Sequence, residues 1–257
     1  MSTLIRDYER FAKEANEICK GRVYTDHLRR YAYGVDASCY SYLPKVVVKA
    51  EDEREVRRLI RLCQQCGTPF TFRAAGSSLS GQCSSEDVLI VCNDGFKKME
   101  VIDDGKALKC ECGVIGSDAN DLLKPYNRKI GPDPATLATA LVGGILNNNS
   151  SGMCCGTAQN SYKTIRSIRV VLLDGSILDT SDQKSIDQFL KEKPQMVEDI
   201  LQLRKDILAD EELTHLIHHK YKIKNTTGYG LNSLVDFEDI IDIINHLFIG
   251  SEGTLGF

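Results

Sequence analysis

Positive charge is not in excess in this sequence: 32 Lys and Arg stand against 36 Asp and Glu, for a formal net charge of −4. That balance supplies no basic field of the kind nucleic acid or an anionic lipid surface requires, so both are set aside as partners. The opening stretch MSTLIRDYERFAKEANEICK carries charge every few residues and has no apolar secretory core, and no later run approaches membrane-spanning length. A cytoplasmic setting with no transmembrane segment is expected. Internal repeats and low-complexity linkers are also missing. Of the 10 cysteines, Cys63 and Cys66 form a C-x-x-C with no second pair to complete a zinc site, which favours packed thiols in a helix. His215, His218 and His219 share a helix face, and a solvated helix end accounts for them better than a metal does. No metal site is expected.

What is present reads as an ordinary soluble domain, 42% hydrophobic and 26% charged over 257 residues. Helix and strand patterns alternate. Residues 4–19 are amphipathic, KVVVKA after Pro44 is a β-branched strand, and a helix is predicted from about Asp52 to Gln65. PFTF, DVLIVC and KALKCECG follow as strands, and IGSDANDLLKPY as a helix that Pro125 helps end. Asp174-Gly175 joins two apolar runs as a hairpin. From Ser181 to Lys220 the pattern is helical, with Pro194 dividing it in two. The class is α+β, with two lobes meeting near residue 100.

Three stretches carry the chemistry. In RAAGSSLSGQ, Arg73 to Gln82, four residues separate Gly76 from Gly81 as in a P-loop. The Lys and Ser/Thr that should follow are replaced by Gln82 and Cys83, which removes the groups NTP hydrolysis needs. Small residues remain whose amides can converge on an anion, with Ser77, Ser78 and Ser80 hydroxyls nearby: a diphosphate cradle, or an ordinary strand-to-helix turn. The stretch GPDPATLATALVGGILNNNSSGMCCGT is too polar and flexible for a core, yet it holds the apolar LVGGIL, which a free surface loop does not explain. Its paired glycines allow close approach to a ligand, and its Asn and Ser residues supply hydrogen bonds. The closing LFIGSEGTLGF again reads as backbone pressed against a ligand.

RAAGSSLSGQ, GPDPATLATALVGGILNNNSSG, KNTTGYGLNSLVD and LFIGSEGTLGF, in this order, resemble the signatures of the FAD-binding domain in FAD-linked oxidases of the vanillyl-alcohol oxidase and p-cresol methylhydroxylase superfamily. Within it the sequence is most similar to bacterial dehydrogenases of the D-lactate, glycolate and D-2-hydroxyglutarate type. The resemblance runs from roughly Leu43 to Phe257. It implies a PCMH-type fold of two α+β subdomains, about 43–100 and 101–257, behind an N-terminal helical extension over 1–42. It also implies that Arg73, Ala74, Ala75, Gly76, Ser77 and Ser78 hold the FAD pyrophosphate, with Gly81 and Gln82 nearer the flavin. Pro134, Thr136, Gly143, Gly144, Asn147, Ser151 and Gly152 would line the cofactor, and Glu252 and Gly253 would lie alongside it. Some relatives attach the flavin through a histidine where Ser77 stands here, so non-covalent FAD is expected.

The resemblance further implies that a D-2-hydroxy acid delivers hydride to the flavin, with an unassigned electron acceptor. The sequence stops where the family's substrate cap should begin. The expectation is therefore the FAD-binding portion of a longer enzyme, inactive alone, with no catalytic residue assigned here. Long members continue into a region with an iron–sulfur cluster, and peripheral attachment at an inner membrane is compatible with the type. Two rival readings stay open: a UDP-N-acetylenolpyruvoylglucosamine reductase of the same fold, and an FAD-binding module without turnover. Tyr229 is open between a flavin neighbour and a packed core residue.

Overall fold

The computed structural model describes residues 6–225 and 228–257. Residues 4 and 5 of the expected first helix, and Thr226 and Thr227 of the fourth signature, lie outside the described residues.

Four strands form the principal sheet: β1 (Val23–Tyr24), β2 (Val46–Lys49), β3 (Phe70–Arg73) and β4 (Val88–Val91), in the order β1-β2-β4-β3. The last three are parallel, with Val46 and Phe70 both opposite Val88, while β1 pairs antiparallel to β2. Val46, Val47 and Val48 and the whole of Val88–Val91 are buried. Sequences covered on both faces read as continuous apolar runs rather than alternating ones. One face packs Val46, Val48, Val88 and Ile90 on the helix Glu53–Cys66, where Val56, Leu59, Ile60 and Cys63 point inward. The other face is closed by Tyr24 and Tyr33 over Val47, Leu89 and Val91.

Residues of the expected N-terminal extension contribute to this body. The helix Tyr8–Ile18, capped by the Asp7 carboxylate on the Arg10 N–H, buries Phe11 and Ala15 in the same core, and β1 extends the sheet. Asp52 caps the next helix through the Glu55 N–H, and Gly67 ends it in the left-handed region. Cys63 and Cys66 lie on its buried face, and burial pushes the Cys63 thiol up to about 12.

The remainder starts with a hairpin, β5 (Met99–Ile102) and β6 (Ala107–Cys110), on which the helices Gly116–Leu123 and Val142–Asn148 pack through Val114, Ala119 and Val142. A second hairpin, β7 (Arg169–Val171) and β8 (Ile177–Asp179), turns at Gly175 with φ +76°. It bridges two cores, with Val171 facing the sheet body and Val170, Leu172 and Leu178 meeting Phe189, Ile244 and Phe248. Phe257 exchanges both backbone hydrogen bonds with Val171 and sets its ring 5.0 Å from that of Phe72.

The charged helical region differs from the two-helix expectation. It forms three helices, Gln183–Glu192, Pro194–Ala209 and Glu211–Lys220, because Asp210 leaves the helical conformation and caps the third through the Leu213 N–H. His215, His218 and His219 are all exposed on that third helix. Among the described residues, no three metal-ligating side chains gather, and no helix is long and apolar enough to cross a membrane.

Candidate functional site

The first stretch leaves β3 at Arg73 and runs along the open end of the sheet. Gly76 and Gly81 both adopt φ +75°, a conformation that costs a side-chain-bearing residue energy. Among the described residues, no acceptor takes the N–H groups of Ala74 to Ser77, while that of Ser78 is directed at the Cys83 thiol. That is the property an anion cradle needs. The Arg73 side chain is used otherwise: its guanidinium donates to the carbonyls of Tyr33 (2.9 Å) and Val35 (2.8 Å) and lies beneath Gly76, where an added Cβ would come within 2.3 Å of Nη2. Arg73 thus braces the loop from behind.

In the second stretch the two adjacent glycines serve different ends. Gly143 donates to the Cys112 carbonyl (2.9 Å), and a Cβ there would sit 2.6 Å from Cys112 Cβ. At Gly144 an ideal Cβ would stand 3.5 Å from Ala74 Cβ, an ordinary contact, with no other described atom within 4 Å outside its own helix backbone and chain neighbours. The first loop and the helix Val142–Asn148 therefore approach each other closely at this glycine. Gly152 packs on the Asp133 carbonyl, and buried Ser151 accepts through its carbonyl from Lys224 Nζ at 3.1 Å. Pro134 and Thr136 shape a turn, their carbonyls accepting from Leu137 and from Thr139 and Ala140.

The closing stretch docks on both. Asn147 Oδ1 accepts from Gly253 N (3.0 Å) and Ser251 Oγ (3.1 Å), while its amide donates to the Gly143 carbonyl (2.8 Å). Glu252, held at φ +54°, accepts through Oε1 from Asn148 Nδ2 (2.6 Å) and Gln82 Nε2 (3.2 Å). Burial drives the Glu252 carboxyl above its ordinary range, against the two amide bonds that lower it. Gln82 Oε1 is buried with no hydrogen-bond partner among the described residues. Beside this junction lies an open groove of about 560 Å³ along the free edge of β3, lined by Phe70, Phe72, Gln82, Glu252 and Gly253.

Ala74, Gln82, Gly144, Asn147, Glu252 and Gly253 are thus brought together, whereas Gly143 and Gly152 face protein backbone. Asn148, one of the asparagines expected to supply hydrogen bonds, and Ser251, which only its adjacency to Glu252 marked in the sequence, hold the junction. Tyr229 is exposed rather than a core residue, and its hydroxyl pairs with Thr254 Oγ1 at 2.8 Å.

An α+β fold with a row of unclaimed amides opposite a glycine-bearing helix defines a nucleotide-cofactor class of domain, and the comparisons give the family. The chain belongs to the FAD binding domain family, whose model matches residues 44–181. Its fold is that of PCMH-type FAD-binding proteins: alkyldihydroxyacetonephosphate synthase superposes with a TM-score of 0.56 at 19% identity, over 70% of this chain and 35% of that one. The D-2-hydroxyglutarate dehydrogenase of Haemophilus influenzae is 23% identical over 93% of this chain and 24% of its own length. The D-lactate dehydrogenase of Archaeoglobus fulgidus is 24% identical over 82% of this chain and 36% of its own. The chain therefore spans about a quarter to a third of the length of these curated relatives.

Proposed function

We propose that this chain holds FAD non-covalently as the cofactor-binding part of a flavin-dependent dehydrogenase acting on a D-2-hydroxy acid. The observation that carries the reading is the meeting of the three stretches at one place: unclaimed N–H groups from Ala74 to Ser77, Gly144 close beside Ala74, and Glu252 tying the ends through Gln82 and Asn148. The residues present fit the cofactor. An anion is suited by the four amides without an acceptor, and a donor-bearing group is suited by the buried, unpartnered Gln82 carbonyl. The relatives' names supply the substrate class. Bound FAD supplies the acceptance of hydride from the substrate's carbinol carbon.

For their part, Arg73 fixes the loop conformation, Gly76 and Gly81 allow it, and Asn147 clamps the closing strand of the site. No histidine stands in the first stretch, so no imidazole is there to form a flavin bond.

The test is titration of the chain with FAD by flavin fluorescence, followed by acid precipitation. Saturable quenching with all flavin released into the supernatant supports the reading; no binding at tens of micromolar FAD refutes it. The dehydrogenase part is tested on the longer protein with D-lactate, glycolate and D-2-hydroxyglutarate and an artificial electron acceptor. Flavin binding without turnover of any of them would leave the binding-module reading in its place.

A further inference from the structure

The junction of Gln82, Asn148 and Glu252 joins residues up to 170 positions apart, and its chemistry is one-directional. An ionised carboxylate only accepts hydrogen bonds, whereas a carboxamide has a donating end and an accepting end. Because the Gln82 amino group is spent on Glu252 Oε1, its carbonyl is turned the other way, and that carbonyl is the atom left buried without a partner. Asn148 is fixed by the same logic: its amino group meets Glu252 at 2.6 Å, and its carbonyl is taken by Ser150 Oγ at 2.8 Å. The carboxylate is held in this place by backbone at φ +54°, a conformation non-glycine residues seldom adopt, which persists when its surroundings fix it.

We propose that Glu252 is a positioning residue that sets the polarity of the cofactor site: by taking the Gln82 amide N–H, it reserves the Gln82 carbonyl as the acceptor for an N–H or O–H donor of the bound FAD. This rests on the FAD reading above. A pyrophosphate brings only acceptors and is repelled by this corner, so the diphosphate belongs at the amides of Ala74 to Ser77, and a donor-bearing part of the cofactor belongs at Gln82. Glu252 acts through Gln82 and need not itself touch the ligand.

Four variants of the full chain test this, each read by FAD affinity from fluorescence titration and by thermal unfolding without FAD. Gln82→Leu removes the acceptor, and Glu252→Gly removes the carboxylate while suiting the left-handed backbone. Each is expected to weaken FAD about tenfold, the scale of one buried hydrogen bond. The double variant should bind no more weakly than the weaker single, because both act through one group. Glu252→Gln keeps an oxygen facing both amides and should restore most of the affinity lost in Glu252→Gly. Unchanged affinity in Glu252→Gly, additive losses in the double variant, or a Glu252→Gln that binds as poorly as Glu252→Gly would each overturn the proposal. If the wild-type chain binds no FAD, the functional reading itself fails and takes this inference with it. If it binds and the variants match it, only the inference fails.

Discussion

Replacing each of the two adjacent glycines of the second stretch with alanine should have opposite effects on the apo fold, and only one should act on the cofactor site. At Gly144 an alanine methyl meets a single neighbour, Ala74 Cβ, at an ordinary contact distance of 3.5 Å. The position is interior to the helix Val142–Asn148, where alanine exceeds glycine by about 0.5–1 kcal/mol. A gain of that size raises the unfolding midpoint of a domain this large by roughly 1–4 °C. The same methyl fills the space between the helix and the first loop, beside the amides proposed to hold the cofactor. FAD affinity should therefore fall tenfold or more while the apo protein becomes more stable. At Gly143 the methyl would lie 2.6 Å from Cys112 Cβ and 3.1 Å from its carbonyl oxygen, neither the tip of a flexible side chain. Overpacking of this kind costs about 1–3 kcal/mol, which outweighs the gain in helix propensity, so Gly143→Ala should unfold at lower temperature. Differential scanning fluorimetry without FAD and flavin fluorescence titration separate the two effects. A Gly144→Ala variant that binds FAD as the wild type does would refute the cradle geometry, and a Gly143→Ala variant as stable as Gly144→Ala would refute the packing argument.

Three further outcomes are expected. Gly76→Val places a β-branched residue at φ +75° against the Arg73 guanidinium, so it should cost several kcal/mol in urea unfolding and remove FAD binding by collapsing the brace, not merely by blocking the phosphate. Asn147→Ala removes two acceptances from the closing stretch and one donation to Gly143; a loss of about 2–3 kcal/mol in apo stability is expected, and a loss below 0.5 kcal/mol would show that the clamp is ornamental. Burial pushes the Asp174 carboxyl up, but Lys193 and Ser176 outweigh it and bring the group to about 2 from an ordinary 3.8. Its folded pKa lies below the unfolded one, so the stability it contributes is present above pH 4 and is lost as pH falls towards 2. The stability gap between wild type and Asp174→Asn, by urea titration at a series of pH values, should shrink across that window.

Much of the scaffold was legible in the sequence because its causes are local. The apolar runs 46–48 and 88–91 are buried in strands, the helix expected from about Asp52 to Gln65 forms over Glu53–Cys66, and Asp174-Gly175 turns a hairpin with Gly175 at φ +76°. Each depends on residues within one turn of chain, where dihedral preference and side-chain capping act. The break at Asp210 was missed since a capping aspartate within a charged helical run gives the same pattern as a solvated helix face. The glycine-rich stretches were likewise visible as places where backbone must come close to something. Composition alone could not say what that something was. Only the tertiary structure decided that Gly143 packs on Cys112 and Gly152 on the Asp133 carbonyl while Gly144 lies beside Ala74, that Arg73 braces the loop through the carbonyls of Tyr33 and Val35, and that Glu252 bonds Gln82 and Asn148 at sequence separations of 170 and 104. Such pairings depend on how the sheet and the two hairpins pack, and a side chain's neighbours across that distance leave no periodic trace in its own segment.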